Sequence, residues 1–298
     1  MQRRQFLQNS MFTLGALSLG KQKILKAISA DEWKITMLTD DIGIFTEKGG
    51  TIAFHYSKDG ITVVDAQFPD SAQHLIDELK KRKDLPFRLL INTHHHRDHT
   101  AGNIDFKDLL KRVLAHDNSL ANQKRVAVAN HSEDKQLYPN QTFIRSWNED
   151  IGNEKIALNY FGAAHTDGDS IIHFEKANIA HVGDLVFNRR HPFVDRSAGA
   201  SIKSWIDVLD QAMKKYDNKT IFICGHSGNN YDVTGSEEML LAFHDYLGNV
   251  LKYVENQMKA GKSKEEILKA TEIPGSPQWQ GDGIERPLTA AYEELSAT

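Results

Sequence analysis

The run Thr93-His94-His95-His96-Arg97-Asp98-His99 sets imidazoles and a carboxylate side by side, directly behind the apolar stretch Phe87-Arg88-Leu89-Leu90-Ile91-Asn92. Neutral imidazole and carboxylate are ordinary ligands for zinc and other first-row divalent ions, and the lack of a nearby thiolate argues against a Cys-rich structural site. The apolar stretch predicts a buried strand that opens into a loop at the histidines, with 100–103 leading into a helix. If 94–96 stays extended, His94 and His96 point one way and His95 the other. The turn that follows then brings Asp98 and His99 round to a second position. A solvated His-rich tract is the plainer alternative, disfavoured by the buried strand in front and by histidines recurring near later strand ends.

Elements that could position such a site are legible along the chain. Short strands are expected at 35–38, 42–47, 51–55 and 61–65, separated by Asp, Gly and Lys-Asp-Gly turns, which makes an antiparallel opening. Between 70 and 83 the apolar residues Ala72, Leu75, Ile76 and Leu79 follow helical spacing and predict a helix laid on that sheet. After the strand at 88–92 come an expected helix at 104–111, a strand at 113–116 and a helix at 119–128. The polar stretch 130–153 reads as a long loop beside the site. The grammar then repeats, with strands at 156–161, 170–174, 179–182 and 220–224 and a helix at 202–216. A long helix at 236–260 is followed by Gly261 as its stop, a capping box of Ser263 with Glu266, a loop at 274–286 and a closing helix at 288–295.

At 298 residues the chain can bury a two-layer or four-layer core. Thirty-six basic side chains against 40 acidic ones leave a formal charge of −4, with no long basic run, so electrostatics gives no indication of nucleic-acid binding. The single cysteine, Cys224, rules out an internal disulfide and lies in an apolar run, where a small buried side chain is expected rather than a nucleophile. Arg3-Arg4-Gln5-Phe6-Leu7, followed by a weakly apolar stretch, resembles a twin-arginine export signal over 1–30, and a periplasmic or secreted protein is expected. The competing reading is a cytoplasmic protein with an amphipathic N-terminal helix, which Lys21, Lys23 and Lys26 favour. The apolar stretch is too short to span a bilayer.

Three later residues complete the metal pattern: His165 beyond the strand ending at Phe161, Asp184 after His181-Val182-Gly183, and His226 after Cys224-Gly225. Each follows an apolar strand and a glycine that lets the backbone turn or approach closely. With His94-x-His96-x-Asp98-His99, they make the chain resemble the metallo-beta-lactamase superfamily over roughly 33–231. The resemblance implies an α/β fold, a four-layer αββα sandwich of two mixed sheets with outer helices. The domain would occupy 31–235, with a helical extension packed on it at 236–298. A dinuclear site is also implied, with His94, His96 and His165 on one metal, Asp98, His99 and His226 on the other, and Asp184 bridging. True beta-lactamases usually carry a cysteine or serine around the position of Asp184. A bridging aspartate resembles instead the glyoxalase II, lactonase and phosphodiesterase branches, and its charge helps neutralise a closely spaced metal pair.

The expected chemistry is hydrolysis of an ester, thioester, lactone or amide by a hydroxide held between two divalent ions, zinc by preference and iron or manganese otherwise. Asp98 would orient the nucleophile and accept its proton as the catalytic carboxylate. A beta-lactamase, a phosphodiesterase and a metal-binding assembly module without catalysis are the alternatives. Arg189, Arg190 and His191 follow Asp184 in a polar loop and are candidate contacts for an anionic group of a small-molecule substrate. Asn230 and Tyr231, near His226, are candidate donors to a substrate oxygen. Asp65 is expected to accept a proton from a ligand imidazole and so fix its tautomer. His95, His173 and His181 read as packing. A homo-oligomer is left open.

Overall fold

The computed structural model describes residues 33–297 of the chain. The expected export segment at 1–30 lies outside the described residues. Strands β1 (Lys34–Met37), β2 (Ile42–Thr46), β3 (Ile52–Ser57) and β4 (Gly60–Val64) form an antiparallel meander. The tight turn from β3 to β4 is built by its sequence: the Ser57 hydroxyl accepts from Asp59 N at 3.1 Å and donates to Gly60 O at 2.9 Å. Gly60 takes φ 118°, a conformation that suits glycine.

Helix α1 (Pro69–Arg82) then crosses over to β5 (Phe87–Ile91), which pairs parallel with β4. Proline starts this helix, Asp70 sits in its first turn, and Lys80, Lys81 and Arg82 sit in its last, each suited to the helix dipole. Strands β6 (Val113–His116) and β7 (Gln141–Phe143) extend the sheet in parallel to seven strands. The short helix α2 (Arg97–Thr100) lies between β5 and β6 in sequence, and helix α3 (Asp117–Ala129) between β6 and β7.

The second sheet has six strands. Strands β8 (Ser146–Ile151), β9 (Glu154–Asn159), β10 (Ile171–Phe174) and β11 (Ile179–Asn188) run antiparallel. Helix α4 (Ile202–Lys215) carries the chain to β12 (Ile221–Ser227), parallel to β11, and β13 (Thr234–Gly235) closes the edge. Helices α5 (Glu237–Lys259), α6 (Lys264–Ile267) and α7 (Glu285–Ser296) follow, with Ser263 and Glu266 forming the capping box at the start of α6.

Alternation along the strands sorts side chains into three apolar clusters. Phe54, Val63 and Leu90 face α1 with Leu75, Ile76 and Leu79. Their neighbours Ala53, Val64, Leu89 and Ile91 face the other way and meet Ile156, Leu158, Ile172, Ile179 and Ile223 of the second sheet. Ala180, Val182, Phe222 and Cys224 form the third cluster with Trp205 of α4 and Phe243, Leu247 and Val250 of α5. Three apolar interfaces define four layers, so the fold is the αββα sandwich of two mixed sheets.

The stretch 130–153 differs from expectation. It holds a 3-10 turn at Glu133–Lys135 and then β7 and β8, each at an edge of its sheet. Polar composition hid β8: along Ser146-Trp147-Asn148-Glu149-Asp150-Ile151 exposure alternates as it does in an edge strand with one solvated face, but the inward position 149 is a glutamate paired with Arg88 and Arg112, so no apolar alternation marks the strand. The expected helix at 104–111 is instead a 3-10 segment, Ala101–Phe106, followed by turns. Strands β11 and β12 run past their expected ends and contain Asp184 and His226 within them.

Candidate metal centre

The residues singled out from the sequence converge where strands of both sheets end or bulge. Beyond β5, His94 and His96 share a side, and α2 turns Asp98 and His99 to a second position. His165 comes from the loop after β9. Asp184 lies in β11, where the register shifts on either side of Gly183, and Gly183 takes φ 53° beside Thr93. His181 helps hold this bulge: its Nδ1 accepts from Gly183 N at 3.0 Å while its Nε2 donates to Thr51 O at 2.8 Å. Two further glycines make room. A methyl group at Gly50 would overlap the His99 ring, and one at Gly225 would overlap Asp184 Oδ1.

The first cluster is His94, His96, His165 and Asp184. His94 Nε2 and His165 Nε2 lie 3.1 and 2.8 Å from His96 Nδ1. Each outer ring nitrogen has an acceptor of its own. His165 Nδ1 donates to Phe193 O at 2.8 Å, and His96 Nε2 donates to Asp195 Oδ2 at 3.0 Å. Thr93 Oγ1 donates to Asp65 Oδ2 at 2.7 Å, which leaves it to accept from His94 Nδ1 at 3.0 Å. In these tautomers the three inner nitrogens present lone pairs to one another, an arrangement that a cation relieves and that suits imidazole ligation.

Asp98, His99 and His226 form the second cluster. Asp98 Oδ2 lies 3.1 Å from His226 Nε2 and 3.8 Å from His99 Nε2. His99 Nδ1 donates to Asp65 Oδ2 at 2.8 Å, the contact expected of Asp65, and Asp65 Oδ1 also accepts from Thr93 N at 2.8 Å. Asp184 reaches both clusters. Its Oδ1 is 3.1 Å from His99 Nε2, and its Oδ2 is 3.4 Å from His165 Nε2, 3.5 Å from His226 Nε2 and 4.0 Å from His94 Nε2. His99 Nε2 and Asp184 Oδ1 are buried and face each other without hydrogen-bond geometry, so both remain available to a metal.

The electrostatics match this donor set. Burial, then the charge of neighbouring His96, pushes His165 down to about 3, and burial holds His94 well below its ordinary value. Burial works the other way at Asp184, but His226 and His99 outweigh it and keep the carboxyl ionised. At His226 burial is outweighed by Asp184 and Asp98, which push it up to about 9. Asp98 and the shared Asp184 thus demand positive charge, and two divalent ions would supply it in place of protons.

Other candidate residues divide between two cavities. Arg190 lines one of about 650 Å³ together with Asp98 and His226. Arg189, Asn230 and Tyr231 line a second of about 760 Å³. His191 lines neither; it is buried, with Nδ1 2.7 Å from the Tyr246 hydroxyl. Sequence reasoning missed Asp195, which anchors His96 and lies 3.4 Å from His95 Nε2. The group His95, His96 and Asp195 is a third set of potential ligands, sharing His96 with the first. No spacing signal pointed to Asp195, because the loop beyond β11 carries it back to the histidines.

Comparison with known proteins agrees with this geometry. The model of the metallo-beta-lactamase superfamily matches residues 51–226. Metallo-beta-lactamase IND-1 of Chryseobacterium indologenes is 25% identical over 174 residues, 57% of this chain and 68% of that one. A metallo-beta-lactamase structure from Pontibacter korlensis superposes with TM-score 0.62 at 18% identity, covering 73% of this chain and 100% of that one. The stereoselective inverting sec-alkylsulfatase Pisa1 from Pseudomonas sp. gives TM-score 0.69 at 13% identity, over 87% of this chain and 49% of that one. These structural likenesses concern the fold. The fold, the matched family model and the paired clusters of histidine and aspartate together place this chain in the metallo-beta-lactamase superfamily, as a metal-dependent hydrolytic enzyme.

Proposed function

We propose that the protein is a dinuclear zinc hydrolase of a small-molecule ester, thioester, lactone or amide. The reading rests on one observation above the others: the two oxygens of Asp184 face imidazoles of both clusters, His99 at 3.1 Å and His165 at 3.4 Å. In this reading His94, His96 and His165 hold one ion, Asp98, His99 and His226 hold the other, and Asp184 is shared. Two such ions, when bound, bring the pKa of a water towards neutrality and polarise the electrophilic oxygen.

The chain's own residues do the rest. Among the described residues, Asp98 is the only carboxylate that belongs to a metal cluster and also lines the 650 Å³ cavity. It is therefore placed to orient the attacking water and take its proton. The acceptors at Asp65, Asp195 and Phe193 O lock the ring tautomers, so inner nitrogens stay unprotonated without reorganisation during turnover. Cys224 cannot serve as a nucleophile, since it is buried and burial pushes its thiol up to about 12.

Zinc-loaded protein should hydrolyse at least one member of a panel containing an aryl ester, a thioester, a lactone, a chromogenic cephalosporin and a phosphodiester. Asp98→Asn should lower kcat by about 10²-fold or more while leaving the melting temperature nearly unchanged. Turnover of the cephalosporin or the phosphodiester alone would reassign the substrate class. Two bound metals with no turnover of any member would mark a binding module.

A further inference from the structure

We propose that His95, His96 and Asp195 form a third cation site, an inhibitory one that zinc enters when it is in excess over the two ions of the paired clusters. His95 is the histidine of the run 94–99 that those clusters leave unused. It is 3% exposed, and neither of its ring nitrogens has a hydrogen-bond partner. Buried polar atoms are paired as a rule, because unpaired ones forfeit hydration without return. Here His95 Nε2 lies 3.4 Å from Asp195 Oδ2 without the geometry of a hydrogen bond.

Asp195 is held so as to present that oxygen. Its Oδ1 accepts from Ser197 Oγ at 2.6 Å and from Ala198 N at 3.2 Å, and its backbone O accepts from Ala198 N and Ala200 N, each at 3.0 Å. Oδ2 is left to two imidazoles, His96 Nε2 at 3.0 Å and His95 Nε2 at 3.4 Å. Two ligand atoms of a tetrahedral zinc, each about 2.0 Å from the ion, stand about 3.3 Å apart. The donors of the third set therefore already have the spacing of ligands, as do those of the first cluster at 2.8 and 3.1 Å. Burial of His95 is no obstacle, since His94 and His165 are buried as deeply. Asp195 also lines a cavity of about 370 Å³ with Phe193, Arg196 and Ser197, separate from the one that Asp98 lines, and this gives an ion its way in.

Occupancy of the third site has a consequence for the first. His96 Nε2 donates its proton to Asp195, so binding a cation there releases that proton to solvent and leaves His96 as an imidazolate, Nδ1 on the first cluster and Nε2 on the third site. This exchange of a proton for an ion costs affinity, which is why the site fills after the paired clusters. An imidazolate gives the first cluster more negative charge than a neutral ring does, and it weakens the polarising power of the ion held there. Excess zinc should then slow turnover. The inhibition rests on the hydrolase reading, whereas binding of a third ion does not.

The test has two arms. In the first, full-length protein carrying two equivalents of zinc is dialysed against rising free zinc, and bound metal is counted. Wild type should take up a third equivalent, whereas His95→Gln and His95→Leu should keep two and bind the third at least about tenfold more weakly. Two variants are used so that at least one melts cooperatively near the wild-type temperature. No third equivalent in wild type, or an equal third equivalent in a folded variant, would overturn the site and mark any extra zinc as an adventitious ion only. In the second arm, turnover of the best panel substrate is followed over the same zinc range. It should fall severalfold in wild type as the third ion binds and stay level in the variants; a third ion bound through His95 without any fall would overturn the inhibition. A His95-dependent third ion in a protein that turns over no panel member would leave the site standing and count against the hydrolase reading.

Discussion

Asp184 can serve two clusters because it is 4% exposed and cannot turn away to solvent. Replacing it with asparagine keeps its shape and removes the charge that two ions would share. After dialysis the Asp184→Asn variant is expected to retain at most one metal and to lose about 10²-fold or more in turnover; two retained metals would show that the carboxylate does not bridge. At this scale much was legible in the sequence, since His94, His96, Asp98, His99, His165, Asp184 and His226 are chemistry-bearing residues near the ends of apolar runs. What stayed hidden were the groups that orient them. Asp195 and the Phe193 carbonyl meet the histidines only through the path of the loop beyond β11, and a backbone carbonyl has no sequence signature.

Elements were read well where one face is apolar and poorly where none is. Helix α1 declared itself through Ala72, Leu75, Ile76 and Leu79, all buried as predicted. Strand β8 did not, because its exposed edge carries Asn148 and Asp150 as a loop would. The buried strands also predict a pH response. His55 of β3 is 2% exposed and lies tilted against Phe174 across the sandwich, with ring centroids 5.9 Å apart. Burial lowers its pKa against a partial opposing pull from Glu154 and Asp41. The unfolded chain then binds a proton more readily than the folded one, so this stability is complete above about pH 6.5 and is lost as pH falls towards the folded value. His55→Leu should narrow the gap in urea midpoint between pH 7.5 and 5.5, and an unchanged gap would mean that His55 is not the titrating group.

At the level of the whole molecule, the helices after β13 are the outer layer of the second sheet. Leu240, Phe243, Leu247 and Val250 of α5 and Leu288 of α7 share one apolar cluster with Trp205 and Phe222. Glu294 of α7 also accepts from the backbone N–H groups of Ile202 at 2.8 Å and Lys203 at 3.1 Å, at the start of α4. A chain ending at 235 should therefore aggregate or bind a hydrophobic dye, whereas cooperative unfolding of that fragment would make 236–298 a dispensable appendage. The sequence disclosed these helices by their spacing but not the face they cover, because that depends on which side of β11 and β12 is apolar.

The central claim is that two metals act together at the paired clusters. Chelator-treated protein should be titrated with zinc while bound metal and turnover of the best panel substrate are followed in the same sample. The account predicts saturation at two equivalents, with most of the activity appearing as the second equivalent binds. Saturation at one equivalent, or full activity before the second is bound, would contradict it.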